Sequence, residues 1–307
     1  MTTRDRHVAD KSKTLGLLGI GLVGKTVARL LLDAGYDIVG YAPSQASRDA
    51  LRQLGGRPVE SVEAVGRAAG TVVLAVYDTA QVEAVTEGAG GLLSAAPPAG
   101  QHRTIVNLST CEPDRIMALG PRLRGRATFV EMPISGTTTQ IARGEGVGLI
   151  GGQPAEIDAV DAILGIVCPR RYRLGSIGAG AKAKLAVNLV LGLNRAAMAE
   201  GLAFADRLGL DPKAFLDVAR NSAAYSQVMD VKGKKMVERD YSPLSKVSQT
   251  LKDFTIIREY ARQADQRLPF ADVYIDMMQS LVKSGEGEID NAALIEAIRR
   301  QTVSGKS

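Results

Sequence analysis

The first half of the chain alternates short apolar runs with segments of helical period. The run TLGLLGIGLVGKTVARLLLDAGYDIVGYA, residues 14–42, predicts a strand, a glycine turn, an amphipathic helix ending at Gly35 and a second strand. Further apolar runs follow at TVVLAVY, TIVNLST, ATFVEMPIS and GVGLIGG, with segments of helical character between them. Strands that alternate with helices in this way predict an α/β fold built on a largely parallel, doubly wound sheet.

The pattern changes near Gly175, after which helical segments replace the strands. These segments are predicted to begin at Lys182, Pro212, Ser248, Pro269 and Asn291. Asp211 followed by Pro212 is a typical helix start, because the carboxylate accepts the first N–H groups and proline fits the first helical position. We predict a polar tail over residues 1–13, a sheet domain over 14–174 and an all-α domain over 175–307.

The predicted helix between Gly178 and Gly209 carries apolar residues on nearly every face, so we expect it to be buried in a core. Lys184 and Asn188 interrupt this pattern near its start. They are four residues apart and therefore project from the same face, one turn from each other. Glu200 is a further charge in the helix, and the pattern leaves open whether it is buried and paired.

Composition describes a globular chain with enough apolar residues for a core. It has 307 residues, enough for one large domain or two ordinary ones. No apolar run approaches the roughly 20 residues of a membrane helix, and the first residues are polar rather than a signal-peptide block. We therefore expect a cytoplasmic protein without a membrane partner. Cys111 and Cys168 are interpreted as ordinary thiols, because two cysteines at this spacing fit neither a disulfide framework nor a zinc site.

The formal charge of +5 does not by itself indicate a nucleic-acid partner, because the basic residues are spread out and mixed with acids. The densest cluster, KGKK at Lys232–Lys235, is short. We interpret it as a solvated helix face or an entrance for an anionic substrate rather than a nucleic-acid surface. Aromatic residues are scarce and tryptophan is absent, which also argues against stacking platforms for single strands.

Gly19, Gly21 and Gly24 form a G-x-G-x-x-G motif between the first predicted strand and helix. In that context the first glycine makes a tight turn, the second lets the backbone approach a pyrophosphate, and the third permits close packing of helix and strand. The motif therefore predicts a Rossmann-type dinucleotide site. The other cofactor-binding residues predicted in this loop are Ile20, Leu22 and Val23.

The end of the second strand indicates which nicotinamide cofactor is preferred. NAD sites usually place Asp or Glu there, against the ribose 2′-hydroxyl. Here the strand ends in Ala42-Pro43-Ser44, with no acid in place, and Ser44, Ser47 and Arg48 are available to a 2′-phosphate. The sequence therefore favours NADP(H) over NAD(H), chiefly because the acid is missing.

A nicotinamide enzyme needs a group that moves a proton at the substrate oxygen. His7 lies in the polar tail and His102 in a loop, no tyrosine is followed by lysine at the fourth position, and no metal-ligand cluster is visible. Lysine remains, and Lys184 follows directly on the predicted change from sheet to helices. A partly buried lysine can donate to a carbonyl oxygen and supply the proton, with Asn188 orienting it. In the alternative, Lys184 extends to solvent and Asn188 caps a neighbouring backbone group.

Five segments in this order resemble the β-hydroxyacid dehydrogenase family, which includes 3-hydroxyisobutyrate dehydrogenase and tartronate semialdehyde reductase. GLLGIGLVG is similar to its cofactor loop, and NLSTCEP to the segment that places Thr110 against the cofactor. EMPISGTTTQIARG resembles the substrate-binding stretch, GAGAKAKLAVN the catalytic segment and LKDF the Lys-Asp pair of the helical domain. The resemblance covers about residues 14–301.

The resemblance implies an NAD(P)-dependent oxidoreductase that interconverts a small β-hydroxy acid and its semialdehyde or keto form. Lys184 would be the catalytic acid/base and Asn188 its partner, and a homodimer or higher homo-oligomer is implied. The substrate carboxylate would bind at Ser135, Gly136 and Thr137 with help from Lys252. Further cofactor contacts are expected from Val76, Tyr77, Thr110 and Lys252.

The chain also departs from the family pattern. Glu131 and Met132 replace the usual Asp-Ala, and Thr137 stands where a second glycine is usual, so the substrate can be smaller or carry a different polar group. Ala42-Pro43-Ser44 lacks the arginine of the family's NADP signature. Two alternatives are retained: an NADPH-dependent imine reductase, although such enzymes usually lack the catalytic lysine, and a non-catalytic module that binds a cofactor or a partner.

Overall fold

The computed structural model of the chain describes residues 13–301. The chain divides into two compact units, with the division after Lys184. The sequence placed a domain boundary near residue 174, and those domain limits remain a prediction. The proposed polar tail lies outside the described residues except for its last residue, Lys13.

The first unit, up to Lys184, holds the sheet and the helices that connect its strands. The strands are β1 (Thr14–Leu18), β2 (Asp37–Tyr41), β3 (Arg57–Pro58), β4 (Thr71–Leu74), β5 (Thr104–Asn107), β6 (Thr128–Glu131), β7 (Ile134–Ser135), β8 (Val147–Gly151) and β9 (Arg170–Gly175). The helices are α1 (Leu22–Asp33), α2 (Gln45–Gln53), α3 (Val62–Ala68), α4 (Thr79–Glu87), α5 (Pro113–Leu123), α6 (Thr138–Ala142), α7 (Pro154–Val167) and the first turns of α8 (Ala179–Arg207).

The sheet confirms the predicted α/β class and parallel core. Its order is β3-β2-β1-β4-β5-β6, with these strands parallel, followed by β8, which runs antiparallel to β6 and β7. The order reverses between β1 and β4, and in such sheets ligands bind outside the carboxyl ends of the strands at this reversal. The glycine loop therefore lies at the expected binding edge.

Two strands were missing from the sequence prediction. β3 has only two residues and ends in Pro58. β9, RRYRLG, pairs in parallel with β8 and is almost entirely exposed, so it shows no apolar run. Charged residues on such an outer strand reduce its tendency to pair with other chains. An exposed edge strand is therefore hard to detect from hydrophobicity alone.

Alternate residues of the central strands enter separate cores on the two faces of the sheet. Leu17 and Val73 belong to one core, and Leu18 and Leu74 belong to the other. Successive strand residues point to opposite faces, so a strand covered by helices on both sides must be apolar throughout. This packing is the physical reason for the continuous apolar runs in the sequence.

Arg103, between α3 and β5, is a charged residue buried among the apolar side chains of the first unit. Its guanidinium donates to the carbonyl oxygens of Gly66 at 2.7 Å and Gly70 at 3.3 Å, and also to those of Ala69 and Ala95. The carbonyls at a helix end lack partners within the helix. Arg103 satisfies them for α3 and joins this helix to the neighbouring loop.

The second unit, from Leu185, is helical in its described residues, as predicted. It contains the rest of α8, then α9 (Pro212–Arg220), α10 (Lys234–Glu238), α11 (Val247–Gln263), α12 (Pro269–Lys283) and α13 (Leu294–Arg299). A π-helical turn at Met229–Gly233 precedes α10. Asp211 caps α9 as expected, because its carboxylate accepts the N–H groups of Lys213 and Ala214.

Helix α8 differs from the sequence expectation of complete burial. One face packs into the helical core, but Val190 and Phe204 are 60% and 65% exposed. Glu200, for which the sequence pattern does not decide between burial and exposure, is exposed. The helix has 29 residues, and the core of the second unit covers only one side of it.

The interpretation of KGKK as a solvated helix face is wrong for two of its three lysines. Lys232 is buried and donates to both carboxylate oxygens of Asp290, at 2.7 and 2.8 Å. Lys235 is also buried, and donates to Asp240 and Ser242 at 2.8 and 2.9 Å. A short lysine cluster looks the same in sequence whether acids from distant positions fold onto it or not. Only Lys234 is largely exposed.

Candidate active site

The glycine loop connects β1 to α1 in the geometry that the motif predicts. Gly19 has φ of +90°, and a Cβ there would collide with the carbonyl oxygen of Ala75. A Cβ on Gly24 would collide with the carbonyl of Gly19, so helix and strand meet closely. Gly21 caps α1, and a Cβ there would meet nothing within 4 Å. The space beside Gly21 and the N-terminus of α1 fit a bound pyrophosphate. Ile20, within this loop, is buried; Leu22, the first residue of α1, is exposed, and Val23 is half-buried against the core.

The residues predicted to contact a 2′-phosphate also hold the loop after β2. Arg48 donates to the carbonyl oxygens of Ala42 at 2.7 Å and Pro43 at 2.9 Å. It also donates to Oε1 of Gln45 at 2.8 Å. The Ser44 hydroxyl oxygen accepts the N–H of Ser47 at 3.3 Å and so caps α2. Arg48 therefore lies directly beside the end of the strand, where the acid of an NAD site would stand.

Val76, Tyr77 and Thr110 follow the carboxyl ends of β4 and β5, which are neighbouring parallel strands. Val76 and Thr110 are half-buried, and Tyr77 is exposed. The N–H of Tyr77 donates to Oε1 of Gln81 at 3.0 Å. Because β1, β4 and β5 are parallel neighbours, these residues lie along the same edge of the sheet as the glycine loop.

The predicted substrate stretch connects β7 to α6. Ser135 ends β7, Gly136 follows with φ of +144°, and Thr137 caps α6. Thr137 and Gln140 form a capping box: the Thr137 N–H donates to Oε1 of Gln140 at 2.9 Å, and the Gln140 N–H donates to the Thr137 hydroxyl oxygen at 3.3 Å. One of the N–H groups expected to receive the substrate carboxylate thus already has a partner from this chain.

Lys184 lies in the second turn of α8 and is buried, with 8% of its surface exposed. Lys182, two residues earlier, is exposed. Asn188 follows one turn later on the same helix. Burial of Lys184 opposes the alternative in which the side chain extends into solvent, because a surface lysine would keep its ammonium in water.

Asn188 is joined to the Lys-Asp pair of α11 within the second unit. Its side-chain amide donates to Oδ2 of Asp253 at 3.0 Å, and the Lys252 ammonium lies 3.1 Å from Oδ1 of the same carboxylate. Asp253 is buried and connects two predicted site residues. Asp253 follows Lys252 in the LKDF motif, for which the family resemblance implies a role of Lys252 only.

Glu131 is a second residue to which sequence reasoning gave no role. It ends β6, is buried, and Oε1 accepts the N–H groups of Gly178 and Gly180 at 2.6 and 3.0 Å. Burial raises the pKa of Glu131 to about 7, although the N–H groups of Gly178, Ala181 and Gly180 act in the opposite direction. In the sequence, the feature that singles out position 131 is that glutamate stands where the family usually has aspartate.

Among the described residues, His102 and the two cysteines take no part in the hydrogen bond between Asn188 and Asp253. His102 is exposed and lies 3.1 Å from the Thr128 hydroxyl, and His7 is outside the described residues. Cys111 and Cys168 are both buried. Within residues 13–301 we find no group of three potential His, Cys, Asp or Glu metal ligands, and no helix of this part is long and apolar enough to span a bilayer.

Comparisons with known proteins match both units of the chain. A family model for the NAD-binding domain of 6-phosphogluconate dehydrogenase matches residues 14–175, and one for the NAD-binding part of NADP-dependent 3-hydroxyisobutyrate dehydrogenase matches residues 178–298.

Individual relatives cover nearly the whole chain. It is 30% identical to an L-threonate dehydrogenase of Cupriavidus necator, over 96% of this chain and 99% of the relative. It is 26% identical to 2-hydroxy-3-oxopropionate reductase of Escherichia coli, over 92% and 96%. The crystal structure of a 3-hydroxyisobutyrate dehydrogenase from Salmonella typhimurium superposes with a TM-score of 0.84 at 26% identity, covering 92% of this chain and 99% of that one.

Proposed function

This chain belongs to the β-hydroxyacid dehydrogenase family, and we propose that it interconverts a small β-hydroxy acid and its semialdehyde or keto form. The cofactor is a nicotinamide dinucleotide, and we propose NADP(H) as the preferred one. The observation that carries the proposal is a buried lysine, Lys184, one turn before Asn188 on α8. Neither retained alternative, imine reduction or a non-catalytic module, has better support.

The glycine loop is the proposed cofactor site. The open space beside Gly21 and the absence of acidic residues from the first turn of α1 suit a pyrophosphate. Val76, Tyr77 and Thr110 are proposed to contact the cofactor further along this edge. When bound, the nicotinamide cofactor accepts or supplies the hydride at its ring.

The preference for NADP(H) rests on the loop after β2. Ala42 occupies the strand end, where an acid would repel a 2′-phosphate, and the Arg48 guanidinium is held within 3 Å of two carbonyl oxygens of this loop. Arginine keeps donors to spare for a phosphate because its guanidinium carries five N–H groups. Ser44 and Ser47 are proposed to complete the binding of the 2′-phosphate.

Lys184 is the proposed acid/base. In the direction of oxidation, the neutral amine of Lys184 accepts the proton of the substrate hydroxyl as the hydride leaves the carbinol carbon. In the direction of reduction, the ammonium donates its proton to the carbonyl oxygen as the hydride arrives. Asn188, held by Asp253, is proposed to orient the same oxygen.

The substrate is proposed to be a small carboxylate. Its carboxylate would bind at the backbone of Ser135, Gly136 and Thr137, and the Lys252 ammonium would add a positive charge. The relative from Cupriavidus necator is named for L-threonate, so L-threonate is the first acid to test.

The test is a fluorescence titration of the purified protein with NADPH and NADH, followed by turnover assays with L-threonate, 3-hydroxyisobutyrate, glycerate and a cyclic imine. We expect tighter binding of NADPH and turnover of at least one hydroxy acid. Lys184→Ala is expected to reduce kcat by about 10² to 10⁴, whereas Lys182→Ala, an exposed lysine on the same helix, is the matched control. Faster turnover of the imine, or wild-type kcat in Lys184→Ala, would refute this assignment.

A further inference from the structure

Glu131 occupies the junction between the sheet and the first turn of α8. Its backbone pairs with Asn107 of β5 on one side and Gly151 of β8 on the other. The side chain reaches the helix start, where one oxygen accepts two N–H groups, from Gly178 at 2.6 Å and Gly180 at 3.0 Å. The first N–H groups of a helix have no partner within the helix. Glu131 supplies the acceptor from the strand that precedes the substrate stretch.

Gly151 and Gly180 surround this contact, and neither position has space for a side chain. A Cβ on Gly151 would collide with Oε1 of Glu131, and a Cβ on Gly180 would collide with the carbonyl oxygen of Leu149. The backbone at the ends of β6 and β8 therefore lies so close to the first turn of α8 that no side chain fits between them at Gly151 or Gly180. A side chain that draws the helix start against these two strands fixes its position within a narrow range.

Lys184 follows Gly180 by four residues, one turn later on α8. Residues four apart on a helix share a face, and helical side chains lean toward the N-terminus, so the stem of Lys184 is directed toward the turn that begins at Gly180. Any shift or fraying of that turn moves Lys184 with it. Lys184 and the N–H groups held by Glu131 belong to the same unit.

We propose that Glu131 is a positioning residue for Lys184: by binding the N–H groups of Gly178 and Gly180, its side chain holds the first turn of α8 so that the lysine meets the substrate oxygen. The proposal rests on the proposed function. A misplacement of about 1 Å in a reacting group costs roughly 10²-fold in rate, so a small movement of the helix start is sufficient.

The energetics of Glu131 also indicate more than a packing role. Burial of a carboxylate opposes its ionisation, and the pKa of Glu131 is raised to about 7 in spite of the N–H donors. The charge of Lys182 on α8 favours its ionisation, while its strand neighbours Asn107 and Gly151 carry no charge. An apolar side chain would avoid this cost but would leave the N–H groups without an acceptor.

The test compares two substitutions of similar shape. Glu131→Gln keeps an oxygen that can accept both N–H groups, and Glu131→Met keeps the length but removes the acceptor. We expect kcat to fall about 10- to 100-fold in Glu131→Met, with KM and the Kd of NADPH within threefold of wild type, and kcat of Glu131→Gln to stay within about threefold. Hydrogen–deuterium exchange of residues 176–184 is expected to accelerate in Glu131→Met only.

Two outcomes would overturn the proposal: wild-type kcat in a folded Glu131→Met protein, or unchanged exchange over residues 176–184. If Glu131→Met does not fold, Glu131→Asp replaces it, since the aspartate side chain is shorter by one methylene. For Glu131→Asp we expect kcat to fall about 3- to 10-fold, with KM and the Kd of NADPH within threefold of wild type. If the wild type turns over no acid, the proposed function has failed, and the exchange measurement still decides whether Glu131 holds the helix start.

Discussion

Thr137 shows how one residue changes a site that the rest of the sequence preserves. Where glycine is usual, the threonine hydroxyl caps α6 and the Thr137 N–H donates to the Gln140 side chain. The capping box orders the start of the helix. It also occupies an N–H group that we propose for the substrate carboxylate. Gln140 therefore competes with the substrate at this position.

The first prediction follows from that competition. In Gln140→Ala the N–H of Thr137 loses its side-chain acceptor and becomes available to a carboxylate. We expect KM for the hydroxy acid to fall about three- to tenfold, with the Kd of NADPH unchanged. Thr137→Ser, which keeps the hydroxyl cap, is the matched control. An increase in KM for Gln140→Ala would mean that the cap orders the binding loop instead of blocking it.

Glu131 predicts a dependence of stability on pH. Its pKa is about 7 in the folded protein, above the ordinary value of 4.5. Between these values the unfolded chain releases the proton while the folded protein retains it, so the free energy of unfolding decreases as pH rises from about 4.5 to 7. Relative to Glu131→Gln, we expect the wild type to lose about 3 kcal/mol over this range. Urea unfolding of both proteins from pH 4.5 to 7.5 tests this, and a constant difference would contradict it.

At the scale of single elements, α3 depends on a residue far away in sequence. Arg103 donates to carbonyl oxygens at the end of α3 and in the loop before Pro97, and it is fully buried. Removing it leaves several buried acceptors without a donor. Such losses are among the few mechanisms that give large effects of a single substitution.

We therefore predict that Arg103→Met lowers the free energy of unfolding by about 3–5 kcal/mol. Arg126→Met is the matched control: Arg126 is exposed and donates to one carbonyl oxygen, that of Leu93, so its loss should cost less than about 1 kcal/mol. Denaturant unfolding measures both. Equal effects of the two substitutions would show that the buried bonds of Arg103 are not what stabilises this part of the first unit.

The sequence predicts helices and strands correctly where the residues of an element themselves show how it packs or where it begins. The parallel strands are apolar throughout because helices cover both faces of the sheet, and Asp211-Pro212 starts α9 because the cap acts within four residues. Prediction failed for β9, whose edge position lets charged side chains point to solvent. It also failed for α10 and the preceding π-helical turn, whose lysines Lys232 and Lys235 are neutralised by distant or loop acids.

At the scale of the whole molecule, the second unit exposes large apolar side chains. Phe204 on α8 and Phe270 on α12 are 65% and 74% exposed. Large exposed apolar groups often mark interfaces with other chains. We therefore propose that this unit supports the homodimer that the family resemblance implies.

Sedimentation of the wild type is expected to show twice the mass of one chain. The double variant Phe204→Asp, Phe270→Asp is expected to sediment as a monomer, because burying two carboxylates in an apolar interface is unfavourable. Tyr172→Asp, at an exposed position on β9 in the first unit, is the control and should stay dimeric. A monomeric wild type would contradict the proposal.

The alternation of the central strands with helices, the glycine loop and the candidate lysine were accessible from sequence, because each leaves a pattern within a short stretch of the chain. Gly19, Gly21 and Gly24 act through the backbone of one turn, and the spacing of Lys184 and Asn188 is set by helix geometry. The partners of these residues come from far along the chain: Asp253 lies 65 residues from Asn188, and Glu131 lies 47 residues from Gly178. The spacing of apolar residues along the chain does not predict such pairs. They form only when packing brings buried polar groups together and each must find a hydrogen-bond partner.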